Sequence, residues 1–135
     1  MEYVAEIIKG HNGRVLVRSR QVVRGNKFNA FLLKIRQSDP SSYKNIMAWM
    51  QLWAESGISG TNGAQWKFLD SKKGLLEWRP VPFRVVWFKD GADAVISHGF
   101  RKKSNKTPRS EITRGLKYID TYFEAKESGE IKVQD

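Results

Sequence analysis

The run Leu75-Leu76-Glu77-Trp78-Arg79, then Phe83-Arg84-Val85-Val86-Trp87-Phe88-Lys89, then Ala94-Val95-Ile96-Ser97-His98-Gly99-Phe100, decides the fold. Each stretch is rich in β-branched and aromatic residues, which suit a pleated, half-buried surface. Pro80-Val81-Pro82 divides the first pair and Asp90-Gly91 the second, so each reads as a separate strand. Trp66 to Leu69 precedes them across Lys72-Lys73-Gly74. Four strands in succession, joined by connections too short for a crossover, predict antiparallel pairing.

Toward the N-terminus the periodicity becomes helical. Phe28, Phe31, Leu32 and Ile35 fall on one helical face, in a helix expected to stop near Gln37, ahead of Asp39-Pro40. A second helix carries Tyr43, Ile46, Met47, Met50 and Trp53 on one face, with Ser41 or Ser42 as its cap and Gly57 at its end. Ser56 to Gly63 reads as a loop. At the start of the chain, Tyr3 to Ile8 and Arg14 to Arg18 flank Gly10-His11-Asn12-Gly13, the pattern of a hairpin. Toward the C-terminus, Thr107-Pro108 offers a helix cap and a first-turn proline, and Ile112, Leu116, Ile119 and Phe123 repeat at helical spacing. The expected fold is α+β: a small antiparallel sheet with two helices from the N-terminal half and a C-terminal helix, all packed on one face. A chain of 135 residues suits one domain, with 1–20 as a hairpin extension and 128–135 as a flexible tail.

The formal charge is +10, and it is unevenly spread. Lys67 to Lys117 holds thirteen basic and five acidic residues, whereas Tyr118 to Asp135 is net acidic, so the positive field is concentrated in the strand-rich part. Such a field attracts polyanions, nucleic acid foremost; a well-solvated surface is the alternative. There is no cysteine, which excludes disulfides, cysteine–zinc sites and thiol nucleophiles. Met1 to Lys9 lacks the pattern of an export signal, and no segment approaches membrane-spanning length, so a cytoplasmic protein with no membrane partner is expected.

The strand residues quoted above, continued by His98-Gly99-Phe100-Arg101-Lys102-Lys103-Ser104-Asn105-Lys106-Thr107-Pro108 and Glu111, resemble the phage-related branch of the RelE/HigB toxin superfamily. In that branch a strand ends in a His-Gly-Phe step, passes through paired lysines to Lys-Thr-Pro and enters a helix. The resemblance covers about Phe28 to Phe123. It implies a RelE-like fold, a ribosome-dependent endoribonuclease acting on mRNA without metal or other cofactor, and a cognate helix-turn-helix antitoxin. Gyrase poisons of the ParE kind share the superfamily, so the likeness bears more on fold than on reaction.

Metal-free RNA cleavage requires a proton to leave the 2′-hydroxyl, another to reach the 5′-oxygen, and positive charge beside the phosphorane. Arg84 and Arg79 have the permanent charge and planar donor fork for the last task, although either can equally be an ordinary strand residue. The resemblance places a functional arginine at Arg84. It also matches two lysines of RelE with Leu75 and Glu77 here, so that protein's acid–base scheme does not transfer unchanged. His98 titrates in the right range to replace them, or is a structural histidine. Lys67, Arg101, Lys102, Lys103 and Lys106 are the expected RNA contacts, and Trp66 is either a stacking platform or core. The hairpin register decides whether Arg84 and His98 can cooperate. Lys89 opposite Ala92 puts them on opposite faces, whereas a three-residue loop or an equivalent bulge puts them on the same one.

Overall fold

Alternating side chains on the central strand are buried on both sides, which requires cover on both faces of the sheet. In the computed structural model, which describes residues 3–9, 21–56, 66–91, 93–129 and 131–134, that strand is β5 (Phe83–Asp90). It pairs antiparallel with β4 (Leu75–Trp78) and β6 (Asp93–Arg101), and β4 pairs antiparallel with β3 (Trp66–Asp70). This is the four-stranded unit expected from the sequence. The sheet extends beyond it, with β2 (Gln21–Gly25) parallel to β6, β1 (Tyr3–Lys9) antiparallel to β2, and β7 (Ile131–Gln134) parallel to β1. It is therefore mixed rather than wholly antiparallel.

Two terminal expectations change. The partner of β1 is Gln21–Gly25, whereas Arg14 to Arg18 and the Gly10 to Gly13 turn lie outside the described residues. Residues 131–134, expected in a flexible tail, form β7 because β1 offers them backbone partners from the far end of the chain.

The helices occupy opposite faces rather than one. Phe83, Val85 and Trp87 point to α1 (Asn26–Ser38) and α2 (Pro40–Ser56), joining Phe28, Leu32, Ile35, Ile46, Met50 and Trp53 in the main core. The indole of Trp87 stacks on Trp78 at 4.7 Å and meets Trp53 edge-on at 5.6 Å. Trp66 packs against this core too. Asp39-Pro40 ends one helix and begins the next. The Asp39 carboxylate, rather than Ser41 or Ser42, caps α2, accepting the Ser42 N–H at 3.2 Å and the Ser42 hydroxyl at 2.6 Å. These hydrogen bonds, the hydroxyl's first, hold the Asp39 carboxyl below its ordinary pKa.

On the other face, Phe88 and Val95 pack against Tyr118, Ile119 and Tyr122 of α3 (Arg109–Glu127). The buried residues of α3 are Gly115, Tyr122 and Ala125, whereas Phe123, expected inward, is 40% exposed. Close approach at Gly115 explains the rotation. A Cβ there would stand 2.8 Å from Leu75 Cδ2 and 3.1 Å from Val86 Cγ1, so the helix rests on the sheet along its glycine. Gly115→Ala should therefore destabilise the protein by about 1–3 kcal/mol through overpacking. Helix propensity alone favours alanine by about 1 kcal/mol, so urea unfolding distinguishes the two by the sign of the change.

Candidate functional site at the α3 face of the sheet

The site begins with a shift of register. Asp90 pairs with Asp93, and the same antiparallel register carries through to Trp87 with Ile96; the next pair is Val86 with His98. Ser97 is the extra residue, a β-bulge. Without it Arg84 would face Gly99 and His98 would fall on the opposite side of the sheet. With it, Phe100 stands opposite Arg84, and His98 shares the α3 face with Arg84 and Val86. The hairpin is thus neither simple alternative, but the bulge meets the requirement for cooperation.

Glu77 and Lys67 form a cross-strand pair on the same face. The Glu77 carboxylate is fully buried, and Thr107 donates its hydroxyl to Oε1 at 2.7 Å. Oε2 faces Lys67 Nζ at 3.7 Å and Arg79 Nε at 3.9 Å. A carboxylate in this position is tolerated because cations and a hydroxyl replace its water. Thr107 therefore ties the connection 102–108 to the sheet, whereas Pro108 takes the cap position of α3 without a side-chain cap. Arg79 reinforces the tie, donating from Nη2 to the Asn105 carbonyl at 3.5 Å.

Arg84 is only 3% exposed and donates from Nη1 to the Phe83 carbonyl at 3.0 Å. Burial and then the charge of Arg79 push its pKa down, with Glu77 opposing. His98 is 4% exposed, with Nδ1 2.8 Å from the Ser97 hydroxyl and its ring stacked on Phe100. Its Nε2 is buried without a hydrogen-bond partner, and Glu111 Oε2 lies 3.7 Å away. Burial, and then the Arg114 charge, lower the His98 pKa to about 4, so the ring is neutral near pH 7.

Of the residues singled out in the sequence, Arg79, Arg84, His98 and Lys67 converge here. The cationic connection divides. Arg101 is the cross-strand partner of Phe83, with its guanidinium 5.5 Å from that ring, and so belongs to the α1–α2 side rather than beside His98. Lys102 donates its backbone N–H to Pro82 at 2.9 Å and its ammonium to Asn105 Oδ1 at 3.3 Å; Lys103 and Lys106 are exposed. Sequence reasoning missed Glu77 as the anchor of the cluster, Ser97 as the bulge, and Glu111 and Arg114 as neighbours of the imidazole. The Thr107 to Glu77 contact spans thirty positions, beyond any local pattern.

Two measurements check this arrangement. Thr107→Val leaves a buried carboxylate oxygen without its donor and should cost about 1.5–3 kcal/mol of stability in denaturant titrations. His98 binds its proton less readily in the folded chain than near its ordinary pKa of 6.5. Its contribution is therefore complete above about pH 6.5, is lost as pH falls toward about 4, and changes no further below. Wild type should lose up to about 3 kcal/mol across that window relative to His98→Gln, which lacks the titrating ring.

Among the described residues, no helix is long and apolar enough to cross a membrane. No curated protein matches the chain. A family model described as phage-derived protein Gp49-like (DUF891) matches residues 34–119, from within α1 to within α3, and so spans β3 to β6 and the bulge. With the match covering well over half of its length, the chain belongs to the phage-derived Gp49-like family.

Proposed function

We propose that the chain is the cytoplasmic toxin of a type II toxin–antitoxin pair, a RelE/HigB-like endoribonuclease that cleaves mRNA on the ribosome without a metal ion. The observation that carries this reading is the Ser97 bulge, which sets His98 on one face of the sheet with Arg84. Gp49-like membership and the RelE/HigB-like motif from His98 to Pro108 support it. In this scheme the neutral imidazole of His98 accepts the 2′-hydroxyl proton as that oxygen attacks the phosphorus, and the imidazolium so formed, beside Glu111, gives a proton to the 5′-oxygen as the P–O5′ bond breaks. Arg84, Arg79 and Lys67 stabilise the charge of the phosphorane, while Lys102, Lys103 and Lys106 follow the RNA backbone. The partners are mRNA, the ribosome and a helix-turn-helix antitoxin.

Arg84 and His98 are nearly inaccessible, so direct substrate contact requires the groups that cover them to rearrange. The same burial favours a second reading, a non-enzymatic nucleic-acid or ribosome-binding protein whose contacts are the exposed lysines. Cleavage assays on translating ribosomes decide between them. Wild type should cut mRNA, Arg84→Ala should lose about 10²–10³-fold in rate, and His98→Gln about 10²–10⁴-fold. Binding without cutting selects the second reading, and loss of DNA supercoiling without RNA cleavage selects a gyrase-directed toxin instead.

A further inference from the structure

β2 runs beside β6 only as far as Val95 in the register, and then the chain turns into α1. Among the described residues, the edge of β6 from Ser97 onward is bordered by α1 rather than by another strand. A cleft of about 240 Å³ lies there, lined by Lys27, Phe28 and Phe31 of α1, His98 and Gly99 of β6, and Arg114 of α3. Its floor is close-fitting, because a Cβ at Gly99 would collide with the Phe31 ring. The cleft therefore requires glycine in the middle of the His-Gly-Phe step.

Three features give it one chemical preference. Lys27 and Arg114 bring positive charge from two helices, and among the described residues neither has an ion-pair partner. α1 begins at Asn26 with Gly25 as an N-cap that provides no side-chain hydrogen bond, and no acidic residue occupies its first turn, so the helix itself brings no negative charge to the positive end of its dipole. His98 is nine-tenths buried and lines the cleft, and its Nε2 has no hydrogen-bond partner. Among the described residues, Glu111 is the one carboxylate close to this ring, at 3.7 Å from Nε2. Two cations, a helix N-terminus and a buried imidazole together suit a tetrahedral oxyanion.

We propose that the cleft between α1 and α3 is a phosphate subsite that holds a backbone phosphate of a nucleic-acid chain lying across the α3 face. The proposal rests on the nucleic-acid reading above and adds to it a second point of attachment. Lys27, Phe28 and Phe31 precede the residues matched by the family model, so the subsite combines a segment outside that match with His98 and Arg114 inside it.

The test follows the imidazole signals of His98 by NMR while inorganic phosphate, or a short unstructured RNA without terminal phosphates, is added. Lys27→Ala/Arg114→Ala is compared with Lys72→Ala/Lys73→Ala, which removes the same charge at the β3–β4 turn. Both pairs are exposed, and unchanged unfolding midpoints show that the variants fold. RNA should shift the His98 signals in wild type and in the turn variant, but not in the cleft variant. The slope of log affinity against log salt should become shallower by about 1.4 in the cleft variant alone, about 0.7 for each lost contact with single-stranded phosphate. RNA binding with an equally reduced slope in both variants and no His98 shift overturns the subsite and leaves RNA binding standing. A His98 shift with inorganic phosphate but no RNA binding by wild type overturns the backbone as the phosphate source, and with it the nucleic-acid reading.

Discussion

One additional residue in β6 sets the geometry on which the α3 face depends. Side chains alternate across a strand, so a single inserted residue reverses the facing of everything beyond it. Up to Ile96, β6 follows the register of its hairpin and gives Ala94 and Ile96 to the main core. Beyond Ser97 the strand is out of step with that pattern, and His98 and Phe100 join Arg84 on the other face. The bulge lets one continuous strand complete the apolar core at one end and supply polar groups at the other.

The polar end is held by a buried charge rather than by apolar packing. Glu77 is surrounded by Lys67, Arg79 and Thr107, and the Thr107 hydroxyl bonds it to the connection that leads into α3. Removing one member of such a buried cluster costs more than the cluster contributes as a whole, because an unpaired charge remains in a dry environment. It also makes this region the polar seam between sheet and connection, since the adjoining part of α3 is locked by the close contact of Gly115 with Leu75 and Val86.

Burial defines the state of the two groups with the strongest functional claim. Arg84 retains its charge while shielded from solvent, and His98 is neutral because desolvation, assisted by Arg114, disfavours its cation. Both are therefore in the protonation states that a transition-state donor and a proton acceptor require. Their shared face is a consequence of the register shift at Ser97.

The amino-acid sequence by itself determined the α+β class, the four strands from Trp66 onward and the first two helices, since period-two and helical spacing, glycine and proline are local signals. It also marked Arg79, Arg84, His98 and Lys67 as residue types suited to an RNA-cleaving site. Only the tertiary structure decided that the helices divide between two faces, that residues 131–134 pair with β1, that Asp39 caps α2, and that Arg101 points away from His98. The same holds for the bulge at Ser97 and the partnership of Thr107 with Glu77. The physical reason is shared. Strand register, helix facing and buried charge pairs are settled by groups far apart in sequence competing for the same space and hydrogen bonds, and no local pattern records the outcome of that competition.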